Sequence, residues 1–200
     1  MSNKKNSNNY NFRNPKVKPS IYWSRVGVIA AVYAALTLVA LFALQGFAWG
    51  PVQFRISEAL TCLASLTSSA IPGLALGTIL ANLISVVING TGALGMLDVV
   101  FGSLATLLGS LWMWKFRDRN CLALAGPVVA NALIVPAYLP IILQGFGFYT
   151  IPFTDISLEY AYLPMYLFGV ISVGIGQAVV MYGLGLPLLK ALKKIKLFQR

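Results

Sequence analysis

The sequence predicts an all-α membrane protein with six transmembrane helices and both ends cytoplasmic, and three observations lead there. Of the 200 residues, 58% are hydrophobic and 10% charged, against roughly 25% charged in an ordinary soluble domain. The apolar stretches are divided by turn residues into lengths suited to the roughly 20 residues that cross a bilayer core, so six spans fill residues 21–192 and no second domain fits. Every Lys and Arg except Arg55 falls into one of three clusters. Lys4, Lys5, Arg13, Lys16, Lys18 and Arg25 precede the first span, Lys115, Arg117 and Arg119 lie midway, and Lys190, Lys193, Lys194, Lys196 and Arg200 come last. Basic loops mark the cytoplasmic side, and an even number of spans places all three clusters there. The net charge of +10 is therefore a topology signal facing the lipid surface, and nucleic-acid binding is not needed to explain it.

Residues 1–20, rich in Asn, Ser and Lys, lack the apolar content to order themselves and read as a basic cytoplasmic tail. The apolar run that follows is too long for a signal peptide and lacks a small-residue cleavage site, so it is retained as span one, Val26 to Phe47, anchored by Tyr22 and Trp23 at one end and Trp49 at the other. Span two, Ile56 to Ser68, is cut short by Ser69, Pro72 and Gly73 and must pack inside the bundle. Span three runs from Gly73 to Ile88 and ends at the turn Asn89-Gly90-Thr91-Gly92. Span four covers Leu97 to Trp114. Span five, Leu122 to Leu143, carries Pro127, Pro136 and Pro140, each of which removes a helical hydrogen bond. Span six is Tyr160 to Leu189, and residues 193–200 form a second basic tail. Cys62 and Cys121 read as free thiols.

The same parity puts Arg55, Glu58 and Asp98 at the outer ends of the helices, where buried charge is expensive, and together they mark a small-solute site. Arg55 and Glu58, three residues apart, either form an ion pair that fixes the outer loop or present a carboxylate to a solute with Arg55 orienting it. Asp98 either caps the start of span four or heads a polar stripe with Gly102 and Thr106. Asn82, Asn131 and Gln177 are single amides in apolar spans, which ordinarily bond a neighbouring helix; Asn131, next to the Pro136 kink, is the best ligand candidate among them. Ala30 and Ala34, and beside them Gly27, Ala31 and Ala35, recur at intervals of four on span one and permit close approach of another helix, from this chain or another subunit. There is no His, no metal-ligand spacing, no phosphate-cradling loop and no nucleophile beside a base. The chain reads as a binding protein that draws energy from partners, not as an enzyme.

Three blocks of sequence carry a resemblance: Gln53-Phe54-Arg55-Ile56-Ser57-Glu58-Ala59-Leu60 after Gly50-Pro51, Leu97-Asp98-Val99-Val100-Phe101-Gly102-Ser103, and Asn131-Ala132-Leu133-Ile134-Val135-Pro136. They resemble the QueT family over about residues 25 to 190. The resemblance implies a substrate-binding S component of an energy-coupling factor transporter, with an S-component-like bundle in a prokaryotic cell membrane. It implies uptake of a queuosine precursor of the 7-deazaguanine type, such as the 7-aminomethyl or 7-cyano compound. It further implies partnership with a module of a transmembrane coupling subunit, EcfT, and two ABC ATPases. ATP is then consumed by those partners and no cofactor belongs to this chain. The small-residue face of Ala30, Ala31, Ala34 and Ala35 would meet the coupling subunit. For such a ligand, Glu58 or Asp98 would accept the ring N–H and exocyclic amine of the base, a second carboxylate would neutralise an aminomethyl cation, and outer aromatics such as Phe148, Tyr149 and Tyr162 would stack on it or belong to an interface belt. An S component for another vitamin-like solute and a membrane scaffold protein without a solute remain the alternatives.

Overall fold

The computed structural model describes residues 18–43, 55–145, 157 and 162–195. They form six helices. Five are long and apolar enough to cross a membrane: α1 (Pro19–Ala43), α2 (Ala70–Asn89), α3 (Gly92–Lys115), α4 (Asn120–Gly145) and α5 (Tyr162–Lys194). The sixth, η1 (Ile56–Ser65), lies between α1 and α2 in sequence, has 10 residues and is wound as a 3-10 helix. At about 2.0 Å per residue it reaches roughly 20 Å, short of the roughly 30 Å hydrocarbon core. The sequence-based expectation of a short second span that packs inside the bundle therefore holds: Ser57, Glu58, Thr61, Cys62, Ala64 and Ser65 are all buried. Helix α1 begins at Pro19, two residues inside the stretch expected to be a tail.

Close approaches fix how the helices run. A side chain added at Gly73 would sit 3.0 Å from the Val26 carbonyl, and one at Gly77 would sit 2.8 Å from the Ala30 carbonyl. The two glycines thus let α2 lie directly on α1, the two running in the same direction with η1 returning between them. Helix α3 runs antiparallel to α2, with Thr78 against Thr106 and Asn82 against Asp98. Gly109 abuts Pro127 of α4, and Gly169 of α5 abuts Pro136, so each later helix reverses the one before. Lys193 Nζ donates to the Arg117 carbonyl and to Asn120 Oδ1, which joins the second and third basic clusters at the end of the bundle where α1 starts. Arg55 and Asp98 sit at the other end.

The outside of the bundle is apolar. Along α5, Leu163, Leu167, Ile171, Ile175 and Val179 are exposed at intervals of four, and Val28, Val32, Leu36 and Val39 do the same on α1. Polar side chains point inward instead: Glu58, Thr61, Thr78, Asn82, Thr106, Asn131 and Gln177 are all buried. This inversion is what lipid as solvent demands.

Two stretches depart from α winding. Asp98–Gly102 in α3 and Val179–Gly185 in α5 are π turns, which recur at functional positions in helices. The second ends two residues before Pro187, whose ring can neither donate to the Gly183 carbonyl nor tolerate it at α distance. The prolines of α4 are accommodated differently. Leu133 and Ala137 each lie three residues before a proline, in the turn that the ring opens, and their carbonyls accept from the hydroxyls of Tyr166 and Tyr162 of α5 at 3.4 and 2.8 Å.

Candidate solute-binding site

Two polar clusters occupy the end opposite the basic loops. In the outer one, Arg55 Nη2 donates to Asp98 Oδ2 at 3.1 Å. Tyr138 of α4 donates its hydroxyl to Asp98 Oδ1 at 2.5 Å, and Asn82 of α2 donates to the Asp98 backbone carbonyl at 2.8 Å. Asp98 is thus the meeting point of η1, α2, α3 and α4. The Phe101 ring, one turn along, stacks on Tyr138 with centroids 5.7 Å apart. Gly102 keeps the space open: a Cβ there would stand 3.1 Å from Asn82 Nδ2 and 3.7 Å from the Tyr138 hydroxyl. The Arg55 and Asp98 side chains are 23% and 33% exposed, so the pair is reachable.

The inner cluster lies about 6 Å deeper, at three residues of 3-10 rise. Glu58 is 0% exposed. Its Oε1 accepts the Tyr33 hydroxyl of α1 at 2.6 Å, and its Oε2 accepts Gln177 Nε2 of α5 at 3.2 Å. The next residues extend the same links: Thr37 Oγ1 lies 2.7 Å from Ser57 Oγ, while the Thr61 hydroxyl is 2.7 Å from the Glu58 carbonyl and 3.3 Å from Met181 Sδ. Through this one carboxylate α1, η1 and α5 are held in register.

Several expectations change here. Arg55 does not pair with Glu58, its neighbour in sequence, but with Asp98, 43 positions on. Asp98 does not cap a helix: α3 starts six residues earlier, at Gly92, and no side-chain cap bond forms at Leu97 or Thr91. Of the three amides, Asn82 and Gln177 reach other helices, whereas Asn131 donates to Pro127 of its own helix at 3.0 Å. Tyr162 is exposed and stacks on Tyr166, apart from both carboxylates. Phe148 and Tyr149 lie outside the described residues. The small-residue face of α1 is divided: Ala30 and Ala34 are buried, the Ala30 carbonyl lying against Gly77 of α2, while Gly27, Ala31 and Ala35 face outward. The residues that sequence reasoning missed are Tyr33 and Tyr138. The signal was there, because tyrosines ordinarily sit at membrane interfaces and both of these fall in the interior of a span.

The chemistry available is recognition. An ionised carboxylate beside a guanidinium presents acceptors and donors side by side, with an aromatic pair adjoining. Both cysteines are free, Cys62 buried and Cys121 exposed. Among the described residues no group of three or more His, Cys, Asp or Glu is placed to hold a metal ion.

Comparison with known proteins gives a consistent result. The family model described as QueT transporter matches residues 23–194. A curated relative, the queuosine precursor transporter QueT of Lactococcus lactis subsp. cremoris (strain MG1363), is 30% identical over 97 residues, 46% of this chain and 52% of that protein. The match thus spans about half of that relative's length. No solved structure matches the chain.

Proposed function

Because the chain belongs to the QueT transporter family, a family of transporters and not of enzymes, we propose that it is the substrate-binding S component of an energy-coupling factor transporter and that it captures a queuosine precursor of the 7-deazaguanine type. The observation that carries this reading is the Arg55–Asp98 pair. The edge of a deazaguanine presents a carbonyl acceptor next to a ring N–H and an exocyclic amine. A guanidinium 3.1 Å from a carboxylate is its complement, Arg55 donating to the carbonyl and Asp98 accepting the two donors. Such bonds to charged partners are short and directional. Phe101, 40% exposed and stacked on Tyr138, offers the base a face to lie on.

The rest of the reading concerns orientation and partners. In a prokaryotic cell membrane the basic end faces the cytoplasm, both termini lie there, and the Arg55–Asp98 end takes solute from outside. The exposed strip Gly27, Ala31 and Ala35 on α1 is the face that docks on the transmembrane coupling subunit, whose two ATPase partners supply the energy. Ala30 and Ala34 support that strip from behind by seating α1 on α2.

Binding of 7-deazaguanines to the purified protein tests the proposal. A ligand that binds only the folded state raises stability by about 2.7 kcal/mol at 100 times its Kd, which a thermal-shift series detects. If no deazaguanine stabilises the protein while another vitamin-like solute does, the substrate assignment is wrong and an S component of different specificity takes its place.

A further inference from the structure

The two carboxylates of the site are not equivalent. Asp98 has a cation, Arg55, within 3.1 Å. Glu58, fully buried, is met by a phenol and an amide, and the Arg55–Asp98 contact is the one ion pair among the described residues. Buried carboxylates inside a membrane bundle are ordinarily matched by a cation or mark a functional position. Arg55, Asp98 and Glu58 together carry one positive and two negative charges, a balance of one negative charge.

We propose that Tyr33, Glu58 and Gln177 form a subsite for a primary ammonium group, so that the chain favours a deazaguanine whose 7-substituent ends in a cation over neutral ones. The inference rests on the deazaguanine reading above and adds to it the charge of the ligand and the residues that read that charge. An ammonium has three N–H donors and no acceptor. Around it stand the Glu58 carboxylate, the lone pairs of the Tyr33 oxygen, and the carbonyl oxygen that Gln177 carries beside its amide nitrogen, so each donor has a partner. The depth agrees: Glu58 lies about 6 Å below Arg55, at three residues of 3-10 rise, within reach of a one-carbon arm on a bicyclic base held at Asp98. A nitrile on the same arm brings no donor and turns its lone pair toward the carboxylate, and a methyl group leaves the charge uncompensated. The site discriminates against both by the same carboxylate that welcomes the cation.

The test measures Kd by titration calorimetry on the purified full chain in detergent, with 7-aminomethyl-, 7-cyano- and 7-methyl-7-deazaguanine as probes. The expected result is binding of the aminomethyl compound at least about tenfold tighter than either neutral one. Glu58→Gln, which keeps shape and hydrogen bonding but removes the charge, is expected to abolish that preference while moving the neutral affinities by less than about threefold. Should this variant fail to fold, the aminomethyl and methyl compounds, which differ by the ammonium alone, read the same quantity on the unaltered protein. Equal affinities, or tighter binding of the cyano compound, overturn the ammonium subsite and leave the deazaguanine reading standing. A preference that persists in Glu58→Gln places the cation elsewhere and overturns the assignment. Absence of binding by all three probes overturns both.

Discussion

Removing the Asp98 carboxylate tests whether the outer cluster is held together as its geometry implies. Asp98 accepts from Arg55 at 3.1 Å and from Tyr138 at 2.5 Å. Hydrogen bonds to a charged acceptor contribute about 1.5–3 kcal/mol each. The Arg55 and Asp98 side chains are 23% and 33% exposed, so solvent draws the ion pair toward the roughly 0–1 kcal/mol of exposed pairs. Tyr138 is buried and keeps the larger value. For Asp98→Ala the sum is a loss of about 2–4 kcal/mol, and for Asp98→Asn, which retains an acceptor, about half that. Equilibrium unfolding in detergent without ligand measures both. A double-mutant cycle with Arg55→Ala isolates the pair, with an expected coupling of about 0.5–1 kcal/mol. On the ligand side, two charge-assisted contacts of about 1.5 kcal/mol each correspond to roughly a 100-fold weaker Kd for a deazaguanine in Asp98→Ala. A stability loss under about 0.5 kcal/mol together with additive Arg55 and Asp98 effects would refute the reasoning, because independent sites add within about that margin.

Other predictions address packing, partners and orientation. Gly77→Leu is expected to destabilise the fold by about 3 kcal/mol or more, since its Cβ meets the backbone carbonyl of Ala30 at 2.8 Å and backbone yields poorly; Gly27→Leu, with nothing within 4 Å of its Cβ, is expected to leave the unfolding midpoint within about 0.5 kcal/mol of wild type. Joint replacement of Ala31 and Ala35 by Leu is expected to prevent co-purification with the coupling subunit and ATPases while deazaguanine affinity stays unchanged, and a surviving complex would move the docking face off α1. Cys121, exposed beside the basic loops, is expected to react with a membrane-impermeant maleimide in inside-out vesicles and not in intact cells, whereas buried Cys62 stays unlabelled in both until the protein unfolds. Labelling of Cys121 from outside would invert the proposed topology.

Much of the fold was legible because lipid imposes a one-dimensional rule: apolar stretches of sufficient length, broken by Gly and Pro, are helices. The turn at Gly90, with φ of +63°, and the short second helix stopped before Pro72 follow from that rule. Winding was not legible. Ile56–Ser65 has an ordinary helical composition, yet it is 3-10 throughout, and Asp98–Gly102 is a π turn with no proline in it. Both are set by what surrounds them: η1 is tied to α1 by Tyr33 and Thr37 and to α5 by Gln177 and Met181. The start of α3 was misplaced for a related reason. Gly92 and Gly95 read as turn residues, but the backbone after Gly92 is already helical, and this deprived Asp98 of its expected role as a cap.

The site's members were visible and its pairings were not, and the reason lies in how polar groups behave in a membrane bundle. Each buried acid must find donors inside the protein, because lipid offers none. The sequence therefore fixes an inventory: two acids and one arginine, with tyrosines and amides in mid-span. It does not fix the matching, which depends on which faces oppose one another. Proximity in sequence favoured Arg55 with Glu58, an interaction suited to an isolated α-helix. In the bundle Arg55 sits at the rim, outside the first residue of η1, where Asp98 of α3 also emerges, while the tighter 3-10 winding carries Glu58 inward beneath it toward Tyr33 and Gln177. The same separation that defeats the local reading gives each carboxylate its own task, Asp98 with a cation already at hand at the opening and Glu58 without one below. Had the two acids shared Arg55, neither would be free to discriminate the charge of what enters.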